Sequence, residues 1–191
     1  MRIGTRATFG RPVLVVAFVL IAAALPSADA ARPGCFGRSA TEVGTARPDT
    51  IRGTSGDDVI VTRGGDDTVF GRGGNDRLCG GGGNDYLDGS RGRDLMRGGP
   101  GGDRGPEDGP HSRGLDGGPG RDVIHGGRGP DHIDGISDDD RLFGEGGDDV
   151  LNGDSNDDFL DGGPGTDRLW GGDDTDRCVR GETYLACEDR Q

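Results

Sequence analysis

GRGGNDRLC from Gly71 to Cys79, followed directly by GGGGNDYLD from Gly80 to Asp88, sets the rule for the chain. Both follow GGxGxDxUx, where U is a large apolar residue, and GGPGRDVIH (Gly117 to His125) and GGPGTDRLW (Gly162 to Trp170) repeat it. Between Gly44 and Val179 fifteen units align, fourteen of nine residues and one of ten, and the sixth residue is aspartate in fourteen of them. Self-similarity at a fixed short period marks a stacked repeat architecture, in which each unit buries its apolar residue only against its neighbours.

Each unit divides into a six-residue turn, GGxGxD, and a three-residue strand, xUx. Strand side chains alternate faces, so only the central one points inward. The expected inward set is Ile51, Ile60, Val69, Leu78, Leu87, Met96, Leu115, Ile124, Ile133, Leu142, Leu151, Leu160, Leu169 and Cys178. Glycines suit turn positions that need φ > 0 or close backbone approach. Position five, with Asp57, Asp66, Asn75, Asn84, Asp139, Asp148 and Asp157, also holds residue types that tolerate the left-handed region.

One apolar side chain in nine residues is little to set against chain entropy, and 42 glycines with a net charge of −13 resemble the composition of a disordered chain. Something besides a hydrophobic core must hold the units together. The repeated aspartate supplies it. Turns of this kind expose carbonyl oxygens beside a carboxylate, and calcium takes six to eight hard oxygen ligands at flexible geometry. The candidate ligands are Asp49, Asp58, Asp67, Asp76, Asp85, Asp94 and Asp103, then Asp122, Asp131, Asp140, Asp149, Asp158, Asp167 and Asp176. Softer transition metals are not implicated by a repeated oxygen ligand, and magnesium dehydrates too reluctantly for a cage of carbonyls.

These repeats resemble the RTX, or haemolysin-type, calcium-binding family across nearly all of the chain downstream of its leader. The resemblance implies an all-β, calcium-binding parallel β-roll whose turns alternate between two edges, with several Ca2+ ions between turns two repeats apart. Asp49, Asp67, Asp85 and Asp103 would then share one edge and Asp58, Asp76 and Asp94 the other. In the second block Asp122, Asp140, Asp158 and Asp176 would face Asp131, Asp149 and Asp167 in the same way.

Some units depart from the rule. Arg47, Asp138, Asn156 and Asp174 stand at the fourth position, and Gly105 replaces an inward apolar residue. Glu107 to Asp116 has ten residues, with His111 at a glycine position and Arg113 at the aspartate position. This stretch is either a distorted coil with Leu115 inward or a loop between two rolls. The expected organisation is a signal peptide (1–30), an N-terminal cap (31–43), a first roll block (44–106), the irregular coil or connector (107–116), a second block (117–179) and a C-terminal cap (180–191).

The leader is read from Arg2, Arg6 and Arg11, the apolar run Val13 to Leu25, and Ala28-Asp29-Ala30 as a cleavage site. Thirteen apolar residues are too few to span a bilayer. Cleavage removes three arginines and one aspartate, taking the formal charge from −13 to −15. So acidic a chain repels nucleic acid and anionic membrane and attracts multivalent cations. In an exported protein four cysteines favour disulfides, and of the three pairings the expected one joins Cys35 to Cys79 and Cys178 to Cys187.

His111, His125 and His132 lack any partner pattern for a nucleophile or zinc site and read as surface residues. Val61, Phe70, Phe143 and Trp170 fall at outward positions scattered over both blocks. Residues 31–43 and 180–191 are too few for an enzyme core, so the toxin and hydrolase activities attached to such repeats elsewhere do not carry over. The expected function is a secreted, extracellular, non-catalytic calcium-ion-binding protein with a structural or adhesive role, its cell-surface or extracellular partner left open. Three rivals are the repeat portion or partner of a secreted hydrolase or toxin, a simple extracellular calcium buffer, and ice binding by a flat β-face. The last would need a regular outward threonine array, where position seven reads Thr50, Val59, Thr68, Arg77, Tyr86 and Leu95.

Overall fold

The computed structural model describes residues 33–104, 114–187 and 189–190; the expected leader, with His111 and Arg113, lies outside them. The described residues are all β, without a helix and so without one long and apolar enough to cross a membrane. Successive strands alternate between two parallel sheets, one of eight strands and one of nine, and each pairs with the strand two units away. The result is the expected parallel β-roll.

Register follows the repeat. In the nine-stranded sheet Ile60 lies opposite Leu78 and Leu78 opposite Met96, and in the eight-stranded sheet Val69 lies opposite Leu87. Inward residues therefore meet inward residues, and those from Ile60 to Cys178 form a single buried cluster, with Ile51 half-buried in the outermost coil. No larger core is needed, because a nine-residue half-coil leaves width for only one apolar layer between the sheets.

Pairing runs further than a three-residue strand. In the second block the strands Val123–Arg128, Arg141–Gly146, Val150–Ser155 and Arg168–Asp173 extend into the following turn, so that Gly127 pairs with Glu145 and Arg128 with Gly146. Left-handed backbone falls at the second and fourth turn positions and not, as expected, at the fifth. Gly83 at position four has φ 131°, and Ile136 at position two has φ 83°. Of the four unexpected residues at position four, Arg47 does not share this conformation, whereas Asp138, Asn156 and Asp174 take it with φ between 76° and 81°, which short polar side chains tolerate. Their turns close normally.

The irregular stretch resolves in a third way. Leu115 is fully buried, but in the eight-stranded sheet between Leu87 and Ile133, while Met96 pairs directly with Ile124 in the other sheet. Leu115 has taken the inward place expected of Gly105, which has no side chain to fill it. From Asp103 to Leu115 is twelve positions where the repeat has two, so ten residues are inserted inside one unit, between turn and strand. Gly114 resumes the coil so close to Asp103 that a Cβ there would strike its carbonyl. Strands of both blocks consequently share the same two sheets.

Both disulfides pair as expected, Cys35 with Cys79 and Cys178 with Cys187. The first holds the hairpin of Gly34–Cys35 and Arg38–Ser39 on the outer face of the nine-stranded sheet, where Cys35 and Ala40 bury Val61. The roll's own edge strands at this end are Glu42–Val43 and Thr50–Arg52.

Excising residues 104–113 leaves Gly98 to Asp103 joined to Gly114-Leu115-Asp116, a regular nonapeptide. That deletion is expected to fold with the β-sheet circular dichroism of the full chain, whereas Leu115→Ala is expected to cost about 2–5 kcal/mol in denaturant unfolding. A deletion variant that does not fold contradicts the insertion.

Candidate metal centres

The sixth-position aspartates line the two edges of the roll. Asp49, Asp67, Asp85, Asp103, Asp131, Asp149 and Asp167 run along one, and Asp58, Asp76, Asp94, Asp122, Asp140, Asp158 and Asp176 along the other. On each edge every backbone N–H before the last aspartate donates to Oδ1 of the next aspartate at 2.7 to 3.0 Å. Across the insertion the same bonds join Asp94 to Asp122 and Asp103 to Asp131, 28 residues apart where the others are 18. The within-block edges expected from the repeat are present, and the insertion decides how the blocks join.

One carboxylate oxygen is used by this ladder; the other is not. Oδ2 of Asp76, Asp85, Asp94, Asp103, Asp122, Asp131, Asp140, Asp149, Asp158 and Asp167 is buried without a hydrogen-bond partner. Each faces the first glycine of its own turn and the carbonyl two units on. A Cβ at Gly117 would sit 2.7 Å from Asp122 Oδ2 and 3.0 Å from the Gly135 carbonyl oxygen, and one at Gly89 would sit 2.6 Å from Asp94 Oδ2 and 2.8 Å from that of Gly117. Glycine is required there because any side chain would fill this oxygen-lined cradle.

The first three turns differ. Asp49 Oδ2 accepts from the N–H and hydroxyl of Thr45, at 2.6 and 2.9 Å, and Asp58 Oδ2 does the same with Thr54. In the third, Thr62 replaces the first glycine, is fully buried, and donates its hydroxyl to the Gly80 carbonyl. Threonine side chains thus satisfy Oδ2 of Asp49 and Asp58, whereas Asp67 Oδ2 stays buried without a hydrogen-bond partner beside Thr62, which stands in the place of its glycine. Asp176 is buried too, with Gly171 and the Ala186 carbonyl around it.

Burial of carboxylates beside one another raises their pKa. Desolvation is the leading cause throughout, neighbouring aspartates generally add to it, and the backbone N–H bond opposes it. Asp76, Asp85 and Asp149 rise to about 6, and Asp103, Asp122 and Asp158 to about 7. Asp94 and Asp131 reach about 8 and Asp140 about 9. Asp67 and Asp167 are also raised. Such groups need a proton or a cation.

Two features were not anticipated from the repeat. Position-five side chains form a second, exposed ladder in the opposite direction: Asp57 Oδ1 accepts from Asn75 N–H, and Asn75 Oδ1 from Arg93 N–H. This use explains the preference for Asp and Asn there. The aspartate ladder also continues past the repeats, because Asp167 N–H donates to the Glu182 carboxylate.

Other side chains singled out from the sequence lie away from the edges. His125 stacks on Phe143 and hydrogen-bonds Glu145 Oε1 at 2.9 Å on the outer face of the nine-stranded sheet. Phe70 packs on Tyr86 on the opposite face, Val61 lies under the hairpin, and Trp170 is exposed. These apolar residues do not share one patch.

The chemistry of the cradles selects the ion. Every donor is oxygen, and no three His, Cys, Asp or Glu side chains gather into a metal-holding group among the described residues, so main-chain carbonyls must complete any shell. Carboxylate plus carbonyl oxygen suits calcium. The family model for the RTX calcium-binding nonapeptide repeat matches in four copies, over residues 43–78, 73–104, 116–151 and 152–182, and skips the insertion. No curated protein matches the chain.

The raised carboxyls fix the sign of a pH effect. Unfolded aspartates titrate near about 3.9, so the metal-free roll binds more protons than the unfolded chain from there up to the raised values, and its stability falls as pH rises through that window. Acidifying the calcium-free chain from about pH 9 toward about pH 5 is expected to increase its β-sheet circular dichroism. A signal that instead declines with acidification contradicts the burial of these carboxylates.

Proposed function

The chain belongs to the RTX calcium-binding nonapeptide repeat family, and from that premise we propose that it is a secreted protein whose roll forms when extracellular calcium fills its turns, serving a structural or adhesive role without catalysis. The observation that carries this reading is the set of ten buried Oδ2 atoms, each facing a glycine and a carbonyl and lacking a partner. Bound calcium would supply the positive charge that these carboxylates lack. The residues that would hold it are Asp76, Asp85, Asp94, Asp103, Asp122, Asp131, Asp140, Asp149, Asp158, Asp167 and Asp176 with the carbonyls beside them. Asp49 and Asp58, served by threonines, close the array at its start, and Asp67 keeps an open Oδ2 beside Thr62.

Mass action gives the size of the switch. At a site Kd of ~10⁻⁴ M, ~2 mM calcium stabilises the roll by about 1.8 kcal/mol per site, and micromolar calcium by almost nothing. Several such sites acting on one cooperative fold make a response to the extracellular level. Two disulfides accord with an oxidising compartment, and the leader read from residues 1–30 accords with export.

Far-UV circular dichroism of residues 31–191 is expected to change from largely unfolded in chelator to β-rich in several millimolar calcium, reversibly. An unchanged spectrum would sink the proposal. Asp131→Asn keeps the Oδ1 acceptor and removes the charge, and is expected to raise the calcium midpoint severalfold. Asp58→Asn, where Thr54 already serves Oδ2, is expected to move it less than about twofold; equal shifts would remove the distinction between open and threonine-filled turns.

A further inference from the structure

The tail after Val179 does not fit the nonapeptide, yet its backbone continues the roll. Thr183–Leu185 pairs in parallel with Arg168–Asp173, and Tyr184 lies opposite Leu169 and packs on the core. The last two segments, RGETYL (Arg180 to Leu185) and ACEDRQ (Ala186 to Gln191), are six-residue versions of the unit with three turn residues missing. Their first residues, Arg180 and Ala186, share a left-handed conformation at φ 51° and 50°.

We infer that this tail completes a terminal calcium site around Asp167, with Glu182 standing in for the repeat's aspartate and the Arg180 carbonyl for its glycine carbonyl. The inference rests on the calcium reading above. Asp167 is 1 % exposed, and its Oδ2 has no hydrogen-bond partner. The position that a Cβ on Gly162 would take is met by Asp167 Oδ2 and the Arg180 carbonyl, as the corresponding glycines elsewhere meet aspartate and glycine carbonyl. Asp167 N–H donates to the Glu182 carboxylate, as every earlier aspartate on its edge donates to the next. Arg180 is anchored through its guanidinium to Asp161 on the outer face of the nine-stranded sheet, which holds its carbonyl in place.

The change of residue type has a physical reason. A turn shortened by three residues cannot carry its carboxylate as far toward the preceding coil, and glutamate restores the reach with one more methylene. A nonapeptide pattern overlooks Glu182, since the site requires six-residue spacing and a longer acid together.

Equilibrium dialysis of the full chain with calcium at saturation counts the ions directly. Glu182→Gln retains an acceptor for the Asp167 N–H and removes the charge; it is expected to bind one ion fewer per chain while the rest of the array still folds. An unchanged count makes Glu182 a backbone cap only and overturns the inference. A wild-type chain that binds no calcium would overturn the calcium reading itself, and this site with it. Should the Gln variant not fold, carbodiimide labelling of the calcium-loaded native chain decides. Glu182 resisting modification while exposed Glu145 reacts supports the site, and equal labelling of the two rejects it.

Discussion

Everything in this roll depends on one hydrogen bond repeated along two edges: an aspartate N–H donating to the carboxylate of the next aspartate on the same edge. The bond sets the distance between coils and draws each carboxylate under the following turn, out of water. Only one oxygen is satisfied in the process. The same contact that builds the stack therefore creates a row of buried, half-satisfied anions, costly to keep charged in a low-dielectric setting. Fold and cation requirement arise from a single geometry.

The rest of the sequence serves that contact. The first glycine of the turn leaves space beside Oδ2, as at Gly117, where a Cβ would sit 2.7 Å from it. The inward residue fills the one-layer interior and little more, so hydrophobic burial orders the coils without dominating their stability. When Gly105 fails to supply an inward side chain, the chain inserts ten residues and uses Leu115, and the aspartate ladder crosses the gap at unchanged bond length. Preservation of the ladder across a broken period argues that the ladder, more than the period, is what the fold maintains.

Much of this was legible in the sequence because period and chemistry coincide. The inward set follows from strand alternation and nine-residue spacing, the parallel roll and the two edges within each block from the resemblance that the repeats carry, and the disulfides from cysteines placed near the ends of the array in an exported chain. The joining of the blocks did not follow, since a ten-residue irregularity reads equally as a distorted coil or a linker until Leu115 is placed in a sheet. The nonapeptide rule assigns nothing to Thr45, Thr54 and Thr62, and their role emerges only from hydroxyl positions beside Asp49, Asp58 and the Gly80 carbonyl. Position-five Asp and Asn suggested left-handed backbone, but that conformation belongs to positions two and four, and the fifth residue bonds across coils instead. Glu182 escaped because its spacing changes together with its side-chain length.

Amide hydrogen exchange at the ladder donors tests the dependence of fold on calcium most directly. The N–H groups of Asp85, Asp94, Asp103 and Asp131 lie on both edges and both sides of the insertion, and each is bonded to a carboxylate whose other oxygen is open. At neutral pH they are expected to exchange slowly in several millimolar calcium and at unfolded-chain rates in chelator. Equal protection in both conditions would show that the ladder stands without the ion and would contradict the account.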